Sequence, residues 1–447
     1  MSQLLKIDKL KLFLKNKISG LLSYHNNKKN LIIITSSILT LPFVIFVRLI
    51  SPIKKITIEY INFSRIGEHH HLDFFLSKKK IGYYSKNLNL FCQTFSHYID
   101  PQICNSFWYK LWKRYLFIIP VFPFGLSIYF WHQKLPGKKL NEIPNFHLFL
   151  DPEPHEVTNG LGKEKKDKLS NILKAKDLNL FLKDEELAEG YKLLEKINVT
   201  KDSEFVCFQN RDNVYLNTQD KKYMKLKKWD WSYHDYRNSK IENYILAAKN
   251  LAAEGTFAIY TGIGKINSKE KLAKEIIDFR RSEINSDFMD IFLANRCKFY
   301  ICSDSGISSV PQVFRKPIVY VSFPSIRITG YLHNLHSITI IKKFYSKSKK
   351  RLLTFKEILE IENIVGNFGT DKFIKDFNDV EILENSPEEI NEAVQEMQQR
   401  LNGKWKSLPE DIDFQNKFWQ INGMYKVKSA NVLIGAKFLR RYNHLLV

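Results

Sequence analysis

Cysteine is scarce in this chain, with five among 447 residues. No two of them form a CxxC pair and their number is odd, so they indicate neither a zinc site nor a disulfide framework. The thiols fit a reducing compartment. Internal repeats and low-complexity tracts are absent too, while 44% of the residues are hydrophobic. This composition and length predict roughly two to four globular domains and argue against a disordered or fibrous chain.

Arginine is also scarce, although the formal net charge is +22. A strongly basic chain suggests nucleic-acid binding, because clustered cations release counterions from phosphate backbones. Only 14 of the 69 basic residues are arginine, however, and the planar guanidinium is the group that specific phosphate and base recognition favours. A chain rich in Lys, Asn and Ile is more typical of biased codon usage. We therefore do not expect nucleic acid as a partner.

Long uncharged stretches are rare, and the most prominent one covers residues 31–47. Seven lysines and one aspartate lie within residues 1–30, and Arg48 ends the stretch. Extended by three residues it reaches the ~20 that a helix needs to cross ~30 Å of hydrocarbon. Pro42 and the polar residues 35–37 fit equally well a helix that lies on the membrane face or packs on the next domain.

From this stretch we expect residues 1–50 to be a basic N-terminus with a hydrophobic, membrane-associating helix. It would hold the protein on the cytoplasmic side of the membrane, attached peripherally or by a single pass, with an anionic membrane surface as a candidate partner. Residues 107–131 are also apolar and aromatic, but Pro120, Pro123 and Gly125 interrupt any long helix. That second stretch fits core packing or an interfacial segment.

Strand and helix patterns alternate along most of the chain. Residues 55–61 predict a strand, Leu72 begins a predicted helix, and residues 80–85 predict a second strand. The same rhythm returns later, with strands predicted at 204–209, 257–261, 298–302 and 317–322, and helices at 182–196, 240–254, 287–294 and 308–314. It is typical of doubly wound α/β domains. Beyond about residue 345 the chain becomes charged and helical.

The most informative turn is Ser303-Asp304-Ser305-Gly306, between a buried strand pattern and a helix start. Free main-chain N–H groups and the positive end of the helix dipole at such a start can hold a phosphate. In open parallel sheets, ligands bind at the carboxyl ends of the strands. The turn therefore predicts an anion-binding site.

Asp304-Ser305-Gly306 opening a helix, followed by Arg315-Lys316-Pro317, resembles the donor-binding segment of the GT-B glycosyltransferases. In the bacterial heptosyltransferases an Asp-Thr-Gly turn introduces a helix that ends before a Gly-x-Pro-x-Val strand. Ser309 stands where those enzymes usually have His, so the donor sugar does not follow from the resemblance.

A closer resemblance is to a family of bacterial glycosyltransferases of surface polysaccharide synthesis, distantly similar to heptosyltransferases and fucosyltransferases. Four blocks carry it in order, across about residues 55–325. They are Arg65-Ile66-Gly67 with the following histidines; Cys104-Asn105 with Leu111-Trp112-Lys113-Arg114; Asn210-Arg211-Asp212 after a strand; and Asp235-Tyr236-Arg237-Asn238-Ser239 with Glu242-Asn243-Tyr244. The first block departs from the family's Arg-Ile-Gly-His loop, since Glu68 comes before His69.

The resemblance implies a GT-B-like α/β fold, with two Rossmann-like doubly wound domains facing a cleft, an N-terminal hydrophobic helix and C-terminal helices. Residues 51–200 would form the acceptor-side domain, 201–345 the nucleotide-sugar (donor) domain, and 346–447 a C-terminal helical region. It also implies a glycosyltransferase that moves a sugar from a nucleotide-sugar donor to a glycan or lipid-linked acceptor. The competing function class is a basic membrane- or nucleic-acid-associated α/β binding protein without catalysis.

The predicted donor-binding residues are those of the strand ends and helix starts: Arg211, Arg237, Asn238, Asp304, Ser305, Gly306, Ser308 and Ser309. The predicted acceptor-side loop residues are Arg65, Gly67 and His70. A guanidinium at a strand end can pair bidentately with a diphosphate, although Arg211 fits equally well an ion pair with Asp212. Asn238 or Ser239 could instead be a helix N-cap.

His69 is the predicted catalytic base, because an imidazole near the first strand could deprotonate an acceptor hydroxyl near neutral pH. His69, His70 and His71 are consecutive and cannot all face one ion, so we predict no metal site. No cofactor is expected, since the nucleotide sugar is a substrate.

Overall fold

The computed structural model describes residues 27–50, 53, 56–61, 63, 65–82, 88–93, 103–119, 124, 128, 131, 141–142, 177–214, 232–266, 273–329, 336–366, 368–421 and 432–447. The chain divides into two compact units. The smaller is drawn from Met1–Arg65, Gly82–Cys104 and Tyr109–Asn145, and the larger from Ile66–Ile81, Asn105–Trp108 and Phe146–Val447.

The smaller unit contains a four-stranded parallel sheet in the order β3-β2-β1-β4. Its strands are β1 (Ile56–Ile61), β2 (Leu88–Gln93), β3 (Ile118–Ile119) and β4 (Asn141–Glu142). Helix α1 (Asn27–Ile50) packs Val44 and Val47 against Ile56 of β1, together with Ile128 and Trp131. The C-terminal half of α1 is thus part of a small apolar core.

The predicted single-pass anchor is wrong. Within the part of the chain that the structure describes, no helix has the length and apolar character needed to cross a membrane. Pro42 lies inside α1, and the helix also carries lysines in its first turn and Arg48 in its last.

The larger unit is built on a seven-stranded parallel sheet in the order β14-β10-β9-β8-β5-β6-β7. Its strands are β5 (Phe205–Gln209), β6 (Phe257–Tyr260), β7 (Ile276–Asp278), β8 (Tyr300–Cys302), β9 (Ile318–Phe323), β10 (Ser337–Ile341) and β14 (Val432–Ile434). The first three strands of this unit run outward in one direction and the later ones in the other. This is the doubly wound order, and its direction reverses between β5 and β8. The chain is therefore an α/β protein.

The described residues form further helices after α1. They are α2 (His70–Lys80), α3 (Ser106–Lys113), α4 (Asp184–Glu195), α5 (Ile245–Ala253), α6 (Asp287–Arg296), α7 (Ser309–Val313), α8 (Ile326–Thr329), α9 (Phe355–Val365), α10 (Asp371–Asp376), α11 (Pro387–Leu401), α12 (Pro409–Ile421) and α13 (Ala436–Arg441). Val206 and Phe208 of β5 share one apolar core with α5 and α11. Because side chains alternate along a strand, Cys207 points to the other face, where its thiol is hydrogen-bonded to that of Cys297 at the end of α6, both cysteines being free.

Short polar motifs set where several helices begin. Ser286 caps α6 by accepting a hydrogen bond from the Met289 N–H. Thr354 and Glu357 form a capping box at α9, and Ser386 and Glu389 form another at α11. Each box satisfies main-chain N–H groups that a helix start otherwise leaves without partners.

The chain divides differently from the prediction at two points. Ile66–Ile81 belongs to the larger unit, not to the domain predicted over 51–200. Residues after 345 are not a separate helical region, because β14 is an edge strand of the seven-stranded sheet. A three-stranded antiparallel sheet precedes β14 in the chain. It is formed by β11 (Lys343–Ser346), β12 (Arg351–Leu352) and β13 (Val380–Leu383). A strand was predicted over residues 80–85, but Lys80 is the last residue of α2. The second strand of the smaller unit, β2, begins at Leu88.

Candidate functional site

Polar residues follow β5 and β8 at the point where the strand order reverses. Gln209 of β5 pairs in register with Cys302 of β8, so the residues after each strand are neighbours. The Arg211 N–H donates to Ser303 Oγ at 2.8 Å, and Gln209 Nε2 donates to Ser305 Oγ. The carboxyl ends of strands at such a reversal form the ligand crevice of doubly wound sheets. We define Arg211, Arg237, Asn238 and Asp304 as the switch-point cluster.

Arg211 is held by neutral oxygens. Its Nη1 donates to the His234 carbonyl at 3.1 Å and to Asn238 Oδ1. Burial, together with the nearby charge of Arg237, lowers the pKa of Arg211 to about 10 against the opposing effect of Asp304. A buried cation without a hydrogen-bonded carboxylate is an unfavourable charge that a bound anion would neutralise.

The ion pair between Arg211 and Asp212 that the sequence left open does not form. Asp212 Oδ1 accepts a hydrogen bond from the Val214 N–H at 3.0 Å. Its Oδ2 faces Gly264 so closely that a Cβ built on this glycine would lie 2.4 Å from Oδ2. Burial raises the pKa of the Asp212 carboxyl. The side chains of Arg211 and Asp212 therefore contact different neighbours.

Arg237 and Asp304 form a bidentate ion pair. Arg237 Nε lies 2.7 Å from Asp304 Oδ2, and Nη2 lies 3.0 Å from Oδ1. Burial acts to lower the pKa of Arg237, but the charge and hydrogen bonds of Asp304 outweigh it, so the pKa is raised. Two parallel N–H···O bonds fix the orientation of the guanidinium as well as its charge.

Asn238 connects parts of the switch-point cluster and does not cap a helix. Its Nδ2 donates to Asn213 Oδ1 at 3.0 Å and to Asp235 Oδ1 at 3.1 Å, while its Oδ1 accepts from Arg211. The 3₁₀ turn Ile241–Tyr244 has Lys240 as its N-cap, so the capping role left open for Asn238 or Ser239 is not realised.

The predicted phosphate turn lies beside the cluster. Gly306–Ser308 is a 3₁₀ turn that leads into α7. The hydroxyls of Ser308 and Ser309 donate to main-chain carbonyls, to Ser305 O and Ile66 O respectively, each at 2.8 Å. Their contact with a donor stays a prediction, as does that of Ser305 and Gly306.

Comparison with solved structures shows a weak structural likeness. No family model and no curated protein matches this chain. The crystal structure of a glycosyl transferase family 9 protein from Veillonella parvula is similar, with 13% sequence identity, 77% of this chain covered, 97% of that chain covered and a TM-score of 0.39. A likeness at this level does not place the chain in that family.

The predicted acceptor-side residues Arg65, Gly67 and His70 do not share one environment. Gly67 packs directly on Gly306, so the Ile66-Gly67 part of the Arg65-Ile66-Gly67 block meets the Asp304-Ser305-Gly306 turn within the larger unit. His70 is the first residue of α2, and its side chain lies outside the described residues. Arg65 belongs to the smaller unit and is half-buried. Their acceptor roles stay predictions.

His69 is fully buried, and its Nδ1 accepts a hydrogen bond from Trp108 Nε1 at 3.0 Å. The neighbouring Asn105 caps α3, because its Oδ1 accepts from the Trp108 N–H at 2.8 Å. An imidazole in this position stabilises the packing of Trp108. The proposed function therefore assigns no chemical step to His69.

Across the described ranges, no three His, Cys, Asp or Glu side chains are grouped so as to hold a metal ion.

Sequence reasoning missed Lys342. It follows β10 directly and is 3% exposed, and its Nζ donates to the Asn238 carbonyl at 2.5 Å. In the sequence it begins the basic run KKFYSKSKKR, which is typical of a solvated loop. Its place at the end of a parallel strand is the signal that could have separated it from the rest of that run.

Proposed function

We propose that this protein is a glycosyltransferase that binds a nucleotide-sugar donor through its diphosphate at the switch-point cluster. The observation that carries the proposal is Arg211, a partly buried guanidinium whose hydrogen bonds among the described residues go to neutral oxygens. It lies at the strand-order reversal of a doubly wound sheet, where nucleotides bind in folds of this kind.

A diphosphate suits this cluster because of its charge and its oxygens. Arg237 is compensated by Asp304, so its guanidinium is already oriented, whereas no carboxylate of the described ranges is hydrogen-bonded to Arg211. A bound dianion would give Arg211 the partner that its burial demands. Guanidinium groups recognise phosphate oxygens bidentately, which favours a diphosphate over a small monovalent anion.

The proposed reaction is a direct displacement at the anomeric carbon of the donor sugar. An acceptor hydroxyl oxygen bonds to that carbon while its bond to the diphosphate oxygen breaks. The diphosphate leaves with the electron pair, and the hydroxyl proton passes to a base. Fixed positive groups next to the leaving oxygens stabilise the charge that develops on them. Arg211 would do this with Arg237, in the role that a metal ion has in other transferases.

The acceptor and the domain arrangement follow from the sequence resemblance. We propose a glycan or lipid-linked acceptor, as in surface polysaccharide synthesis, and a GT-B-type arrangement. The larger unit would hold the donor, with Ser305, Gly306, Ser308 and Ser309 as further contacts. The acceptor contacts would come from Arg65, Gly67 and His70.

Nucleoside diphosphate binding tests the proposal first. Uridine, guanosine and adenosine diphosphates are titrated against the protein, with heat of binding and thermal shift as readouts. We expect at least one to bind, and Arg211→Ala to weaken that binding by a factor of about 10–100. Arg296→Ala is the matched control, because Arg296 lies on the surface and bonds to the Tyr191 hydroxyl.

Turnover tests the chemistry. Nucleotide sugars are supplied one at a time, and release of the nucleoside diphosphate is followed with the wild type and Arg211→Ala. DNA binding is measured over a range of salt concentrations in parallel. A steep salt dependence of DNA binding with no response to any nucleotide would reject the transferase in favour of a nucleic-acid-binding protein.

A further inference from the structure

Lys342 is a buried lysine at the carboxyl end of a strand. Its main-chain N–H donates to the Phe323 carbonyl at 2.9 Å, which ties the end of β10 to the end of β9. Its side chain points inward, while Lys347, Lys349 and Lys350 of the same basic run are exposed. Removing an ammonium from water is costly unless it gains a good partner. The position therefore calls for an explanation.

The partner of Lys342 is the main chain of the switch-point cluster. Its Nζ donates to the carbonyl oxygen of Asn238 at 2.5 Å. The side chain of the same Asn238 accepts a hydrogen bond from Arg211. One residue thus connects the Lys342 ammonium to the Arg211 guanidinium.

The charges that face Lys342 come from several elements. Asp304, after β8, and Glu384, after β13, favour the charged ammonium, and Arg211, after β5, opposes it. Glu384 is engaged elsewhere, since its Oε2 accepts from the Lys240 N–H at 2.8 Å and from Asn243 Nδ2 at 3.0 Å. Burial is the main effect and lowers the pKa of Lys342 to about 8.

We propose that Lys342 is a positioning residue of the nucleotide site, whose ammonium holds the Asn238 main chain so that the Asn238 side chain aims Arg211 at the diphosphate. This inference rests on the proposed function. Lys342 itself is too deeply buried to touch the donor. It acts through Asn238 and, by its charge, adds to the positive field that the donor meets.

The arrangement makes donor affinity depend on pH. An ammonium makes a charge-assisted hydrogen bond to the carbonyl, roughly twice as strong as that of a neutral amine. As the pH rises through about 8, Lys342 loses its proton, and the Asn238 turn and the local positive charge weaken together. A diphosphate is already fully ionised there, because its second proton leaves near pH ~6. The wild type should therefore bind the diphosphate less tightly at pH 9 than at pH 7.

The variants are Lys342→Met, Lys342→Arg and the control Lys347→Met, which removes the same charge from the exposed part of the run. Each is titrated with the nucleoside diphosphate that the wild type binds best, at pH 7 and pH 9. We expect Lys342→Met to weaken binding about tenfold at pH 7 and to remove the pH dependence. Lys342→Arg, which stays charged, should retain affinity at pH 9, and Lys347→Met should behave as the wild type.

A double-variant cycle tests whether Lys342 works through Arg211. In the Arg211→Ala background, Lys342→Met should change affinity by less than threefold, because the group that it positions is gone. An equal loss in both backgrounds would overturn the positioning role.

The outcomes separate this inference from the proposed function. If the wild type binds no nucleoside diphosphate, the proposed function fails. If the wild type binds one and Lys342→Met binds it equally well, the role of Lys342 fails alone. If Lys342→Met does not fold, the pH dependence of nucleoside diphosphate affinity in the wild type tests the inference instead. A wild-type affinity that does not change between pH 7 and pH 9 would overturn it.

Discussion

Gly67 and Gly306 touch backbone to backbone, although they come from distant parts of the chain. A Cβ on Gly67 would stand 2.6 Å from Gly306 Cα, and a Cβ on Gly306 would stand 3.2 Å from Gly67 Cα. Ser309 fastens the contact, because its hydroxyl donates to the Ile66 carbonyl at 2.8 Å. The 3₁₀ turn Ile66–Glu68 and the turn that follows Asp304 are therefore fixed against each other with no room for a side chain.

Gly67→Ala is expected to push these two turns apart. Overpacking of this kind costs about 1–3 kcal/mol, and here the displaced atoms belong to main chain, which cannot rotate away. We expect a lower melting temperature and a loss of nucleotide-sugar turnover greater than the loss of stability explains. Gly255→Ala is the control, since a Cβ there meets nothing within 4 Å and the substitution only strains a positive φ of 80°. Equal turnover in the two variants would contradict this account of the contact.

Arg211→Met should separate stability from binding. The folded state lowers the pKa of Arg211 to about 10, so below that pH the charged guanidinium opposes folding. Removing it should leave the free energy of unfolding unchanged or raise it by about 0.5–2 kcal/mol, while nucleoside diphosphate binding weakens by a factor of about 10–100. Chemical denaturation and titration calorimetry measure the two effects. A clear destabilisation of the free protein would show that Arg211 holds the fold rather than a ligand.

Asp304→Asn should destabilise the protein more than Arg237→Met. Losing one partner of a buried ion pair costs about 3 kcal/mol or more. Without the Asp304 carboxylate, Arg211 and Arg237 also become neighbouring cations that repel each other. Added nucleoside diphosphate should restore more of the melting temperature in Asp304→Asn than in Arg237→Met. The reverse order of stability would contradict the charge arrangement.

Thr354→Ala should weaken the start of α9 without affecting the nucleotide site. Thr354 Oγ1 accepts from the Glu357 N–H at 3.2 Å, and Glu357 Oε2 accepts from the Thr354 N–H at 2.8 Å. Loss of such a cap costs about 1 kcal/mol. Thermal denaturation should show that cost, with nucleotide affinity unchanged. An altered affinity would mean that α9 is coupled to the switch-point cluster.

A chelator should leave turnover intact. The proposed reaction neutralises the leaving diphosphate with Arg211 and Arg237, which EDTA does not remove. Diphosphate release is measured before and after dialysis against EDTA, and again with added Mg²⁺. Activity that disappears with EDTA and returns with Mg²⁺ would show that a metal ion carries this charge.

Strands of the larger sheet were predictable where they form continuous apolar runs. β5 and β9 are buried at every position and appear in the sequence as such runs, as parallel strands covered on both faces do. β7, β10 and β14 escaped prediction: β7 and β14 are three-residue strands at the two edges of the sheet, and β10, although all five of its residues are buried, mixes Ser and Thr with its three isoleucines. Short edge strands leave almost no periodic pattern.

Two routes led to the members of the switch-point cluster. Arg211 and Asp304 follow strands, and strand ends converge at a strand-order reversal. Arg237 and Asn238 lie in or beside a 3₁₀ turn and were named through the sequence resemblance, but the pairing of Arg237 with Asp304 was not predicted. His69 was chosen for its chemistry, but a single sequence does not show that Trp108 packs over it. Tertiary contacts of this kind decide burial, and local pattern does not contain them.

The pairing of β14 with β10 has a consequence for how the protein is made. Ser337–Ile341 has β9 on one side, but its other neighbour is Val432–Ile434, which leaves the ribosome only after the intervening helices. Until then β10 is a bare strand edge with main-chain donors and acceptors exposed, the kind of template on which growing chains aggregate. Its five residues are all buried once the sheet is complete. Late closure of this edge lengthens the part of synthesis during which an incomplete sheet exposes a strand edge.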